Sequence, residues 1–128
     1  MDAMDENELA RQIYFAELKV HQNLGPGLLE SAYEECLFYE LQKIGLKVEK
    51  QKALPLIYED IRLEVGYRLD LLIDNKVIVE IKAVEAFTDV HTAQVLTYLK
   101  LTGCKLGLLI NFNVVLLKNG VKRLVNGL

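Results

Sequence analysis

Cysteine is scarce in the 128-residue chain: only Cys36 and Cys104 occur, far apart, with no CxxC spacing and no clustered histidines. That speaks against a zinc site or a disulfide framework. Long apolar runs are missing too; each is short and broken by charge, so none is long enough to span a bilayer. The chain also lacks an excess of base. Its formal net charge is −3 and its pI about 5.4, which argues against strong nonspecific binding to nucleic acid. No long basic patch and no aromatic-rich platform for bases is visible. The start, MDAMDENELA, is acidic and lacks the basic residues and apolar stretch of an export signal. The expected location is the cytoplasm, with no membrane partner.

What is present is ordinary globular material, 52% hydrophobic and 26% charged in 14.6 kDa. This fits one compact domain over residues 1–128, with room for a core and one site. The charge is uneven. Residues 1–60 carry 12 acidic and 6 basic side chains, net −6, whereas residues 61–128 carry 6 acidic and 9 basic, net +3. The second half is the phosphate-facing half, and a bound cation would neutralise part of its acid.

Apolar spacing predicts an amphipathic helix over about 7–22, with Leu9, Ile13, Ala16 and Val20 on one face. NLGPG at 23–27 breaks it. A second helix is expected over about 28–44, its wide apolar face built from Leu29, Ala32, Tyr33, Cys36, Leu37, Tyr39 and Leu41, with Gly45 closing it. Residues 46–58 alternate and are rich in β-formers, and Pro55 favours a sheet edge. Strands follow at about 61–65, 67–73 and 77–83, then a helix over 89–102 ended by Gly103 and a buried strand at 105–112. The tail, VVLLKNGVKRLV, reads as a hairpin turning at Asn119-Gly120. The fold class implied is α/β, a mixed sheet flanked by helices.

The segment NKVIVEIKA, residues 75–83, is a core strand interrupted by Glu80 and Lys82, which share one face while Val79 and Ile81 share the other. If residues 74–76 form a three-residue loop, Ile73 faces Val77, Leu72 faces Ile78 and Asp70 lies across from Glu80. A two-residue loop would send Asp70 to the opposite face and dissolve the cluster. Opposed carboxylates repel unless something positive sits between them. Mg²⁺ or Mn²⁺ would meet that need and could hold a phosphate oxygen, with Lys82 orienting water or offsetting charge. The competing reading is an i, i+2 ion pair on a solvated face with Asp70 merely near a turn. In the three-residue register Arg68 also lies opposite Lys82, which favours a bound anion or splayed side chains.

Asp70 followed ten residues later by Glu80-x-Lys82 resembles the motif of the PD-(D/E)XK nuclease superfamily, with RLD standing where the motif has PD. More specifically, GPGLLESAYEECL at 25–37 contains Gly27-x-x-Glu30-x-x-Tyr33 and is similar to the signature of the GxxExxY protein family. VEIKAVEAFTDVHTAQVLTYLKLTG and GLLINF look like further blocks of that family, so the resemblance covers about residues 14–126. It implies a restriction-endonuclease-like core in αβββαβ order with an extra N-terminal helix. It also implies Asp70, Glu80 and Glu30 as metal ligands and Lys82 as the catalytic cation. Gln94-x-x-x-Tyr98 is similar to the QxxxY motif of recombination exonucleases. It would place Gln94 beside Lys82 or the water and Tyr98 on phosphate or base; packing plus a surface amide is the competing reading, and Arg68 is a substrate-binding candidate only through the register above. Gly27 and Tyr33 would serve the turn into the helix and packing beside Glu30. His21 and His91 are isolated and read as capping or surface residues, His91 lying next to the helix that carries Gln94.

The expected function is therefore hydrolysis of phosphodiester bonds, in DNA before RNA, with Mg²⁺ or Mn²⁺ as cofactor. A homodimer or partner chain would be needed to cut both strands. The alternative is a nuclease-like binding or interaction scaffold without turnover, since fold does not establish activity.

Overall fold

The computed structural model describes residues 3–128. Helix α1 (Glu6–Leu24) starts where the Asp5 carboxylate accepts a hydrogen bond from the Glu8 amide, and it buries Leu9, Ile13, Ala16 and Val20. The glycine-proline break is in place, with Gly25 and Gly27 at φ 67° and 95°. Helix α2 (Glu30–Lys43) begins later than the apolar pattern suggests, because Leu29 is extended and 76% exposed. Its buried face is correspondingly narrow. Tyr33, Leu37 and Leu41 are buried, while Leu29 and Tyr39 point outward.

Strand β1 (Val48–Ala53) is followed by β2 (Leu56–Tyr58), β3 (Ile61–Leu63), β4 (Arg68–Ile73) and β5 (Val77–Lys82). Helix α3 (Asp89–Thr102) then crosses to β6 (Leu106–Asn111), and a 3₁₀ turn at Leu117–Gly120 leads into β7 (Val121–Val125). The main sheet has the order β1-β4-β5-β6-β7, with β5 and β6 parallel and the other neighbours antiparallel. The sheet is sandwiched. Leu71, Ile73, Val77 and Val79 pack with α1 and α2, whereas Leu72, Ile78 and Leu109 pack with α3. Covered on both faces, the central β5 and β6 need apolar residues at nearly every position. This is the restriction-endonuclease-like arrangement, and no described helix is long and apolar enough to cross a membrane.

Two expectations are corrected. The β-rich stretch 46–58 does not run as one strand: it divides at Leu54-Pro55 into the edge strand β1 and a separate two-stranded hairpin, β2–β3. The tail is not a hairpin either. Residues 113–116 form no strand, and β7 pairs with β6. Gly120 serves space and not a turn, since a Cβ there would stand 2.2 Å from the Asn111 carbonyl oxygen.

The loop at 74–76 has three residues: Ile73 pairs with Val77, Leu72 with Ile78 and Leu71 with Val79. Asp74 and Asn75 both take positive φ, 51° and 56°, a region that short polar side chains tolerate. The Lys76 amide closes the turn on the Ile73 carbonyl at 2.9 Å. Asp74 is anchored to Lys47, just before β1: its amide donates to the Lys47 carbonyl and its carboxylate accepts from the Lys47 amide.

Candidate active site

The β4–β5 ladder stops one position short of Asp70 and Glu80. There the Asp70 amide donates to the Glu80 carboxylate at 2.7 Å, and the Ile81 amide donates to the Asp70 carboxylate at 2.8 Å. Each carboxylate thus takes a backbone N–H that a strand carbonyl would otherwise hold. Asp70 and Glu80 are adjacent, as the three-residue loop requires. Pairing also lapses on the other side of Asp70, where Gln51 of β1 adopts φ 53° between the pairs Lys50–Leu71 and Lys52–Leu69. The Gln51 side-chain Nε2 donates to the Glu34 carboxylate at 2.6 Å and to the Asp70 carboxylate at 3.3 Å.

Glu30, Ser31, Glu34, Gln51, Asp70 and Ile81 line a cleft of about 250 Å³. Glu30 is the first residue of α2, and its carboxylate accepts from the Ala83 amide at 3.1 Å, at the residue after Lys82. Gly27 and Tyr33 explain how it is held there. Tyr33 is fully buried, stacks on Phe112 at 4.5 Å, donates its hydroxyl hydrogen to the Gly25 carbonyl at 2.6 Å and accepts from the Leu28 amide at 3.1 Å. The glycine gives the loop its left-handed turn and the tyrosine pins that loop, so spacing from Gly27 to Tyr33 fixes where α2 starts.

The cluster is short of positive charge. Burial, reinforced by the Asp70 charge, pushes the Glu80 carboxyl up to about 8, although the Asp70 N–H and Lys82 oppose the shift. Burial likewise raises Asp70, against the Ile81 N–H and Lys82, with Glu30 adding to the rise. Glu34 is raised by burial first, with Asp70 contributing. Such a set of hard oxygen donors suits a divalent cation. Asp70 and Glu80 are joined through backbone amides, the Asp70 N–H on Glu80 and the Ile81 N–H on Asp70. Among the described residues, however, no three His, Cys, Asp or Glu side chains are gathered as a ready metal site, and Glu30 is engaged with the Ala83 amide.

Other sequence candidates lie elsewhere. Arg68 does not face Lys82 across the ladder: it pairs with Ala53 of β1 and donates to the Gln51 carbonyl at 3.1 Å, because the ladder with β5 has already ended. Gln94 does not line the carboxylate cleft. With Tyr98 it lines a second cleft between α3 and the base of the β2–β3 hairpin. Tyr98 nonetheless feels the cluster, its hydroxyl being pushed up to about 12 by burial and then by the Glu80 and Asp70 charges. His91 completes a capping box with Thr88. His21 is buried, with its Nε2 2.7 Å from the Val114 carbonyl oxygen.

Three residues were not singled out from the sequence. Glu34 sits one turn after Glu30, a spacing that was there to be read. Gln51 carried no signal, since its role depends on strand pairing. Asn111 ends the apolar run of β6; it pairs with Lys82 and bonds both the amide and the carbonyl of Val84, at 3.1 and 2.8 Å. It thereby fixes the chain leaving the lysine.

A five-stranded mixed sheet between helices, with opposed carboxylates and a lysine at the end of two neighbouring strands, is the arrangement of a restriction-endonuclease-like domain. A family model for the PD-(D/E)XK nuclease superfamily matches residues 7–124, and the chain belongs to that superfamily. No curated protein and no solved structure matches it.

Proposed function

We propose that the protein is a metal-dependent phosphodiesterase acting on DNA, with RNA as the second choice of substrate. The carrying observation is the replacement of ladder bonds by the Asp70 and Glu80 carboxylates beside Lys82. A protein gains nothing in sheet stability by holding two like charges there, whereas a cation between them removes the repulsion. Asp70 and Glu80 would hold Mg²⁺ or Mn²⁺, with Glu30 as a further ligand once released from the Ala83 amide. When bound, the metal supplies Lewis-acid polarisation of a phosphate oxygen and lowers the pKa of water. Lys82 orients the attacking water and offsets charge developing on the phosphate. In this reading Gln94 and Tyr98 act on the substrate strand from α3, Arg68 contacts phosphate, and Gly27 and Tyr33 set the position of Glu30. One site cuts one strand at a time, so double-strand cleavage calls for a homodimer or a partner chain. A cytoplasmic setting goes with this role.

The second reading is a nuclease-like scaffold without turnover, favoured by the engagement of the Glu30 carboxylate with the Ala83 amide. Linear, circular and single-stranded substrates incubated with Mg²⁺ or Mn²⁺, beside a Lys82→Ala variant, separate the two. Cleavage lost in the variant supports the enzyme; equal residual cleavage by both proteins overturns it. Calorimetric titration with Mn²⁺ tests the earlier step, because Asp70→Asn must lose binding if the carboxylates are ligands.

A further inference from the structure

The cleft between α3 and the hairpin base has no part in holding the carboxylates. Its volume is about 280 Å³, and Leu56, Tyr67, Val90, Gln94, Tyr98 and Leu101 are prominent in its lining. That size lies just below the range of pockets for drug-sized ligands, about 300–1,000 Å³, so it fits a single flat ring system. Tyr67 and Tyr98 meet edge to face at 6.3 Å and 62°. Gln94 adds an amide that can both donate and accept.

The chain itself links the two clefts at consecutive residues, Tyr67 and Arg68. Tyr67, just before β4, lines the apolar cleft, while the exposed Arg68 that opens β4 reaches the Gln51 carbonyl at the edge of the carboxylate cleft. A ligand with a flat apolar ring at one end and a phosphate at the other matches this division of aromatic and cationic groups. A nucleotide within a strand is such a ligand, provided that its base is not paired in a duplex.

We propose that this cleft receives an unpaired nucleobase of the substrate strand, stacked against the exposed ring of Tyr67 while the buried Tyr98 forms the floor, and that the protein therefore prefers single-stranded nucleic acid or frayed ends over intact duplex. The proposal rests on the nuclease reading for the strand it acts on, but base binding is measurable without cleavage.

The test uses the full chain without divalent metal and a short single strand carrying one 2-aminopurine, compared with the same strand abasic at that position and with a blunt duplex. Stacking on Tyr67 should quench the 2-aminopurine, and removal of the base should weaken binding about tenfold. Ala93→Phe, at an exposed position in the cleft lining, should abolish both the quenching and the preference over duplex, and Tyr67→Ala should weaken both. Unquenched 2-aminopurine, equal affinity for abasic and complete strands, or no binding of single strands overturns the cleft. Cleavage is then read separately with Mn²⁺. Base-dependent binding with no cleavage of any strand removes the nuclease reading and leaves the cleft. Equal affinity for, and equal cleavage of, complete and abasic strands removes the cleft and leaves the nuclease reading.

Discussion

Both carboxylate oxygens of Glu17 in α1 are buried without a hydrogen-bond partner among the described residues, and burial raises its pKa to about 8. An acid raised in this way binds its proton more tightly folded than unfolded. Its contribution to stability is complete below the ordinary carboxylate pKa of 4.5 and is lost as pH rises to about 8. Wild-type melting temperature should fall across that window, and Glu17→Met should remove much of the fall. The variant should also gain about 1–3 kcal/mol near pH 8, the cost of an unsatisfied buried polar group. A less stable variant at pH 8, in thermal melts, would assign Glu17 a partner. Glu80 has the same raised value, again from burial first, with the Asp70 charge adding to it. Below pH 8 the metal-free site holds that proton, and a cation must displace it. Mn²⁺ titrations at pH 7 in buffers of different ionisation enthalpy should show release of about one proton per metal, and release should vanish well above pH 8. At this scale the sequence displays Asp70, Glu80 and Lys82 because polar residues stand out in apolar strands. Gln51 stays hidden, since a left-handed residue in an edge strand is visible only once β1 and β4 pair.

Among the elements, the start of α2 depends most on a single side chain. Tyr33→Phe keeps the ring stacked on Phe112 but leaves the Gly25 carbonyl and the Leu28 amide without their shared partner. A loss of about 1–3 kcal/mol in chemical denaturation is expected. Glu30 follows that loop by two residues, so Mn²⁺ affinity should weaken as well. Unchanged affinity in a destabilised variant would remove Glu30 from the metal site. The elements themselves were largely legible, and so was the decisive register. Asp74 and Asn75 tolerate positive φ, and they close a three-residue loop that aligns two apolar strands. The tail misleads because Val114 to Leu117 is as apolar as a strand. Leu117 instead buries itself in the core from a 3₁₀ turn, and the close approach of Gly120 to Asn111 leaves no room for a strand pair there.

Across the whole molecule, acid is concentrated where α2, β1, β4 and β5 converge, and the fold carries that repulsion in the absence of a cation. Mn²⁺ should therefore raise the melting temperature, by an amount equivalent to about 2.7 kcal/mol at a hundredfold excess over its Kd. Asp70→Asn should abolish the shift. An equal shift from NaCl at matched ionic strength would point to screening and not to binding. The order of helices and strands was readable from period and punctuation, because each segment is strongly patterned. The detachment of the β2–β3 hairpin was not, since Pro55 marks only an edge and says nothing of which sheet follows.

The amides of Asp70 and Ile81 close on side-chain carboxylates where a sheet would normally offer them carbonyls. Their exchange with deuterated solvent consequently depends on what else those oxygens are doing. A cation drawing on the same lone pairs should loosen both amides while the neighbouring ladder, from Leu71 to Ile73, keeps its protection. Two backbone hydrogens thus act as resident gauges of site occupancy, readable with no substrate present.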